Sequence, residues 1–344
     1  MLKNIKINRR NLLQAFLLFF FQFKASAVSY LKKDRIKIIF GSCSNQKKHM
    51  FHWKQIVSHK PDFIFLLGDN VYGDFFDEKA EELITAYNKL NANLDFKYLK
   101  KNIPILSIWD DHDYGQNDGG KTWEYKKISK KIFLDFFNVP MSDVRRSREG
   151  IYKSTFIEIN KKKIKVIALD TRYFRDDFKY NYNQSINRKY RKDFNPNSSI
   201  LGKKQWDWFL KEINDKYDFL IILSSFQVIS KSHGWEKWDN FPLERTKLFN
   251  NLGQINKPIL ILSGDRHIGG IYKCQYNNVI EVTSSSFNQN ILNFKEVDTL
   301  RVSNLIKKNN FGLLEVDNNG VKIKIISGFF NRNIEYASAE INFK

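Results

Sequence analysis

Six short apolar runs set the frame of this chain: Ile36–Phe40, Phe63–Leu67, Ile103–Trp109, Ile164–Leu169, Phe219–Leu223 and Ile259–Leu262. Each is a few residues long and mostly β-branched or aromatic, as a buried strand is. Longer amphipathic stretches lie between several of them: Glu78–Asn91, Trp123–Phe137, Gly202–Asn214 and Leu243–Leu252. Strand followed by helix, repeated, restricts the chain to an α/β fold with a largely parallel sheet. After Gly264 the pattern changes. Ile271–Tyr276, Val279–Thr283, Phe311–Val316 and Val321–Ile326 come close together, and Asp317-Asn318-Asn319-Gly320 suits a hairpin turn. The expectation is a single domain over residues 28–344, more antiparallel in its C-terminal half from about residue 265, with no internal repeat or long linker.

Four of the six runs pass directly into side chains that bind metals. The first ends in Gly41-Ser42-Cys43-Ser44-Asn45 and the second in Gly68-Asp69-Asn70-Val71-Tyr72-Gly73-Asp74. The third ends in Asp110-Asp111-His112-Asp113 and the sixth in Gly264-Asp265-Arg266-His267. In open α/β sheets ligands bind beyond the carboxyl ends of the strands. These loops therefore converge on one crevice holding a thiol, several carboxylates, a phenol and two imidazoles. Without a cation, so many carboxylates would force some of their number to take up protons. A metal centre resolves the conflict. Mixed O, N and S donors suit iron, manganese or zinc, and an all-oxygen subset suits a harder ion such as calcium. Taken singly, each residue has a plainer use: Asp69 as a turn or cap, Cys43 as a small buried residue or half of a disulfide with Cys274, His112 as a structural histidine, Tyr72 as core. Their recurrence at four strand ends favours the metal centre. The Ser284-Ser285-Ser286 run has no triad context and reads as a loop.

The chain carries 57 Lys+Arg against 37 Asp+Glu, a formal net charge of +20, and 42% hydrophobic residues exclude a disordered chain. Part of that charge belongs to an address. Lys3, Lys6, Arg9 and Arg10 precede an apolar stretch from Leu12 to Phe23, and Ala25-Ser26-Ala27 follows. A basic start, a short hydrophobic run and a small-x-small site describe a cleavable secretory signal over 1–27, with an uncleaved anchor as the alternative. Arg9-Arg10 resembles a twin-arginine signal. The run is too short for a transmembrane span of about 20 residues. Export to periplasm, cell surface or medium is expected, with no integral span in the mature form. Residues 1–27 hold five basic and no acidic residues, which leaves +15 on the remainder. That charge can steer anionic substrates, but scattered lysines without a binding motif give no nucleic acid as a specific partner.

The order of motifs resembles the PhoD-like alkaline phosphatases, a branch of the calcineurin-like metallophosphoesterases. The resemblance rests on Phe40-Gly41-Ser42-Cys43, Gly68-Asp69-x-x-Tyr72, Trp109-Asp110-Asp111-His112-Asp113 and Ser263-Gly264-Asp265-Arg266-His267. Leu169-Asp170-Thr171-Arg172-x-x-Arg175 and Trp238-Asp239-Asn240-Phe241-Pro242-Leu243-Glu244-Arg245 agree, so it runs from about Phe40 to Asn288. It implies a four-layer αββα sandwich of two mixed sheets with a dinuclear metal site at the strand ends. Gly68-Asp69-x-x-Tyr72 also looks like the purple acid phosphatase motif.

Carried over residue by residue, Cys43, Asp69 and Tyr72 bind the first metal, helped by Asp265 or His267. Asp111 binds the second, with Asp69 bridging and Asp110 as a neighbouring group or further ligand. The metals implied are Fe3+ with Ca2+, with Zn2+ or Mn2+ as alternatives. Gln227 stands where the wider superfamily has an isolated histidine. The chain lacks room for the additional N-terminal β-domain of the best-studied members, which implies an open site. The implied reaction is in-line attack of metal-activated water on a small phosphate monoester or diester by a monomeric enzyme. His112 assists the leaving group and Asn45 contacts substrate. Arg172 either contacts phosphate or pairs with a neighbouring carboxylate. Trp235, Trp238 and Phe241 form an aromatic rim or pack in the core. The rival readings are a phosphodiesterase or phospholipase acting on lipid or wall polymer, and an exported non-catalytic anion-binding protein.

Overall fold

Period-two alternation along the buried runs sorts their side chains onto two faces, and this makes four layers. The computed structural model describes residues 29–31, 33–182, 189–274, 279–292, 295–329 and 332–343, so the expected signal at 1–27 lies outside the described residues. The strands are β1 (Ser29–Leu31), β2 (Arg35–Gly41), β3 (Phe63–Leu67), β4 (Ile105–Ile108), β5 (Lys153–Ile159), β6 (Lys162–Ala168), β7 (Lys179–Tyr180) and β8 (Tyr190–Arg191). They continue with β9 (Phe219–Ser224), β10 (Ile259–Ser263), β11 (Gly269–Lys273), β12 (Val279–Ser284), β13 (Phe311–Asp317), β14 (Gly320–Phe329) and β15 (Arg332–Asn342). The helices are α1 (Phe51–Ser58), α2 (Glu81–Ala92), α3 (Leu94–Asn102), α4 (Asp111–Tyr114), α5 (Lys126–Phe136), α6 (Gly202–Glu212) and α7 (Pro242–Leu252).

One sheet has seven strands in the order β1-β5-β6-β9-β10-β12-β11, and the other has six in the order β15-β14-β13-β2-β3-β4. Both are mixed. β2, β3 and β4 run parallel, as do β6, β9, β10 and β12, whereas β11 and the β13–β15 meander pair antiparallel. The strands after residue 265 do not make a separate sheet: β11 and β12 extend one sheet and β13–β15 the other.

Ile38 and Phe40 of β2, Phe63, Phe65 and Leu67 of β3, and Ile164 and Val166 of β6 face the space between the sheets with Ile221, Leu223, Leu260 and Leu262. The residues between them turn outward. Ile39, Ile64 and Leu66 pack under α1, α2, α3 and α5 through Trp53, Leu83, Tyr87, Phe96 and Phe133. On the other side Leu220, Ile222, Ile259 and Ile261 meet Trp206 and Phe209 of α6 and Leu248 and Leu252 of α7. Trp238 and Phe241 are buried in this last cluster, which settles their use as core.

The sequence pattern locates most of these strands and shifts some ends; the Ile103–Trp109 run narrows to Ile105–Ile108. Several elements are additional, among them α1, α3, β5 and β15. α1 spans only eight residues. α3 is capped by Asn93, whose side chain accepts from Phe96 N–H. β5 is mostly half-buried, and β15 is the edge strand of its sheet, so neither shows a continuous apolar run.

Gly312 of β13 sits opposite Phe40 of β2, and a Cβ there would lie 2.0 Å from the Phe40 ring. Gly312→Ala is expected to lower stability by about 1–3 kcal/mol through overpacking, read as a lower urea midpoint at unchanged slope. An unchanged midpoint would mean that the Phe40 ring moves aside without cost.

Candidate metal centre

The four strand-end loops meet where the parallel strands of the two sheets end. Ser44 N–H donates to Asp69 C=O at 2.9 Å, and Gly264 N–H to Ser225 C=O at 3.0 Å. A Cβ on Gly264 would meet Ser42 Oγ, Ser225 O and Leu67 O within 2.9 Å, so the ends of β2, β3, β9 and β10 crowd one point. Cys43, Asp69, Asp265 and His267 all adopt left-handed backbone, with φ of 61, 48, 68 and 57°. Such conformations cost non-glycine residues about 1–3 kcal/mol each and persist only where the surroundings dictate them. Here Asp113 supplies much of the constraint. Its carboxylate accepts the N–H groups of Asp110 at 2.6 Å, Asp69 at 3.1 Å and Asn70 at 3.3 Å, together with the Asn70 amide and the Tyr87 hydroxyl. Asp113 therefore ties two loops together and is turned away from the role of a ligand.

Cys43, Asp69 and His267 present ligand atoms that all lie within 4.8 Å of one another, as do Asp69, Asp111 and His112, then Asp110, Asp111 and Asp265, and finally Asp111, Asp118 and Glu236. Asp69 joins the first group to the second, and Asp111 joins the remaining three. Tyr72 enters through its hydroxyl, 3.0 Å from His267 Nε2, and its ring lies 4.3 Å from that of His112. The choice between Asp265 and His267 separates spatially: His267 groups with Cys43, and Asp265 with Asp110 and Asp111. His112 Nδ1 is 2.7 Å from Asp74 Oδ2.

Burial raises the Asp69 carboxyl well above its usual range, and the charge of Asp111 raises it further. Asp265 is raised by burial and then by Glu236. Cys43 and Tyr72 are likewise raised by burial and then by Asp69. Asp111 goes the other way: burial would raise it, but His112 and Arg172 hold it below the ordinary carboxylate range. Burial would lower His112, yet Asp111, Asp69 and Asp74 raise it to about 11, while His267 is lowered to about 4 by burial and by His112. One further feature points to a cation: Asp110 Oδ2 is buried without a partner among the described residues. The donor set, its raised carboxyls and its orphaned oxygen fit a cation centre. The Cys43–Asp69–His267 side with Tyr72 offers S, O and N donors, and the Asp110–Asp111–Asp265 side offers oxygen alone.

Arg172 corrects one expectation. Its guanidinium is fully buried, donating from Nε to Asp110 at 2.6 Å and from Nη1 and Nη2 to Glu236 at 2.6 and 2.8 Å. Of the two uses open to it, the carboxylate pairing is the one it makes, and no face of it is open to a phosphate. Asn45 accepts Lys47 N–H on Oδ1 at 2.9 Å, closing a turn, and its Nδ2 lies 3.5 Å from Gln289. Gln227 is buried and donates to Thr283 Oγ1 at 2.8 Å, leaving its Oε1 unpartnered. Both cysteines are buried free thiols, so no Cys43–Cys274 bond forms, and Cys43 Sγ donates to Asp69 Oδ2 at 3.6 Å.

Asp118 and Glu236 escape the motif pattern, whereas Asp74 closes the second strand-end cluster but carries no assigned role in the sequence reading. Asp118 and Glu236 lie in loops, and only folding brings them to Asp111. Arg175 fixes the Asp118 loop by donating to the Asp118 and Gly119 carbonyls at 2.6 Å.

Two mixed sheets with helices outside and a carboxylate–histidine cluster at the strand ends define the metallophosphatase fold class, and comparisons agree. The structure is similar to that of PhoD, with a TM-score of 0.66 at 15% identity over 92% of this chain and 70% of that one. It is also similar to the purple acid phosphatase PPD1 from yellow lupin seeds (0.58, 13%, 91% and 54%) and to Plasmodium GAP50, an inner membrane complex anchor (0.61, 12%, 91% and 90%). At these identities the likeness shows the fold. The chain belongs to the PhoD-like phosphatase family, whose model matches residues 38–325. It is 23% identical over 274 residues to alkaline phosphatase D of Bacillus subtilis strain 168, covering 66% of this chain and 45% of that protein. It thus spans about half the length of that relative.

If the Cys43 thiolate is a ligand, Cys43→Ala lowers the metal bound per chain under reducing conditions, measured by mass spectrometry of the elements after reconstitution. Full metal content in the variant would leave Cys43 as packing.

Proposed function

We propose that this chain is an exported, metal-dependent hydrolase of small phosphate esters. The observation that carries the reading is the set of overlapping donor groups sharing Asp69 and Asp111 at the strand ends. Cys43, Asp69 and His267 with Tyr72 would hold a transition metal, Fe3+ being the one the family resemblance implies and Zn2+ or Mn2+ the alternatives. Asp110, Asp111 and Asp265 would hold a harder ion such as Ca2+. Bound there, the cations supply acidification of a water and neutralisation of charge on the phosphoryl oxygens. Family membership supports a phosphoester substrate and the metal requirement. Export rests on the sequence of residues 1–27; among the described residues no helix is long and apolar enough to cross a membrane.

The chain's own contribution centres on His112. Asp74 holds its Nδ1, so Nε2 is the nitrogen free for chemistry, and the Tyr72 ring against it fixes the plane. The surrounding carboxylates keep the imidazole protonated. As the phosphorus–oxygen bond breaks, the leaving oxygen takes the Nε2 proton. The pKa of about 11 arises from carboxylates that bound cations would also neutralise, so loading the centre would lower it. Arg172 helps hold Asp111 below the ordinary carboxylate range and opposes the rise to about 6 that burial gives Asp110.

Metal analysis with hydrolysis of nitrophenyl phosphate and bis-nitrophenyl phosphate tests the whole. Absence of bound metal and of both activities would favour the non-catalytic anion-binding protein. His112→Ala is expected to lower kcat by about 10²–10⁴ while metal content stays near that of the parent; unchanged kcat removes its role as acid. Asp74→Asn takes away a charge that raises the His112 pKa, so the alkaline limb of the kcat profile moves to lower pH. A limb that stays in place removes Asp74 from the proton transfer.

A further inference from the structure

Trp235 is the one member of the expected aromatic rim that does not enter the core. It is 46% exposed, against 0% for Trp238 and 1% for Phe241. It directly precedes Glu236, whose carboxylate belongs to the Asp111–Asp118–Glu236 group at the edge of the centre. The backbone beneath it is fixed: Trp235 N–H donates to His233 Nδ1 at 3.2 Å, its carbonyl lies 3.3 Å from the Lys237 ammonium, and Tyr190 N–H donates to Gly234 C=O at 3.1 Å. A large ring is therefore held open to solvent on a rigid base, one residue from a buried carboxylate of the site.

A second exposed ring lies on the strand pair that bonds to the Gly234 carbonyl. β7 and β8 form a two-stranded ribbon outside both sheets, pairing Tyr180 with Tyr190. Tyr190 is buried, its hydroxyl donates to Asp118 Oδ2 at 2.5 Å, and its ring lies 5.3 Å from that of Tyr180, which is 50% exposed. Lys189 precedes Tyr190 on the same ribbon, its ammonium 5.2 Å from the Tyr190 ring centre. Its ammonium pairs with Asp118 and lies 5.8 Å from the Trp235 ring centre. Asp118 thus anchors the ribbon to the edge of the centre, and the ribbon brings the exposed Tyr180 ring and the Lys189 ammonium to the Trp235 segment.

We propose that Trp235 and Tyr180 form a ring-binding subsite beside the metal centre, selecting phosphate esters that carry a planar aromatic group, aryl or nucleoside, over alkyl esters. This rests on the phosphoesterase reading above and adds the substrate class. Stacking on aromatic side chains tolerates many planar rings. The Lys189 ammonium supplies positive charge where the phosphoryl group and its ring substituent join.

The test compares phenyl phosphate with glycerol phosphate as substrates of the metal-loaded wild type, Trp235→Ala, Trp235→Phe and Tyr180→Ala. Trp235→Ala is expected to reduce the ratio of kcat/KM for the phenyl over the glycerol ester by roughly 5- to 100-fold, mainly through KM, with Phe restoring most of it. Tyr180→Ala reduces the ratio less. Equal losses on both esters, or an unchanged ratio, would overturn the subsite. A binding readout separates this from the parent reading. Phenylphosphonate should quench wild-type tryptophan fluorescence more than methylphosphonate does, and the difference should vanish in Trp235→Phe. Hydrolysis of neither ester by the wild type would sink the phosphoesterase reading, and the quenching comparison then decides the subsite by itself.

Discussion

Like charge confined in a buried crevice is the constraint on which this structure depends. Asp69, Asp110, Asp111, Asp118, Asp265 and Glu236 belong to overlapping groups whose ligand atoms lie within 4.8 Å. Two carboxylates at that separation repel by about 3–4 kcal/mol at an effective dielectric of about 20. The chain meets part of this with its own cations. Arg172 lies between Asp110 and Glu236, and Lys189 pairs with Asp118. Even with these and with His112 beside Asp69, Asp69 and Asp265 stay raised and Asp110 Oδ2 has no partner among the described residues.

The fold makes that confinement possible. Parallel strands from both sheets end at one edge, so residues far apart in sequence arrive there together. The left-handed turns at Cys43, Asp69, Asp265 and His267 then aim short side chains at a common point, where a regular helix cap would turn them aside. Asp113 shows the division of labour within one motif. Two residues from Asp111, it faces backbone amides and holds the loops from behind.

What could be read from the sequence follows from this layout. The buried strands were legible because both faces are covered, leaving uninterrupted apolar runs. The strand-end ligands were legible because an abrupt change from apolar run to polar cluster is visible in one dimension. β15 was not, since an edge strand carries alternating polar residues. Asp118 and Glu236 come from loops between elements, and their proximity to Asp111 is a product of tertiary folding alone. Arg172 sits in a recognisable motif, but which of its two uses it takes depends on burial, and burial is a property of the folded molecule.

The β7–β8 ribbon joins the rest differently from every other strand. Its ladder is only two residues long, it belongs to neither sheet, and it is moored by Asp118 and by the Gly234 carbonyl. Its exposed residues, Tyr180 among them, can be exchanged without disturbing the packed layers or the donor cluster. The molecule therefore separates an immovable chemical floor from a replaceable wall, and variation in the clientele of such enzymes has an inexpensive place to accumulate.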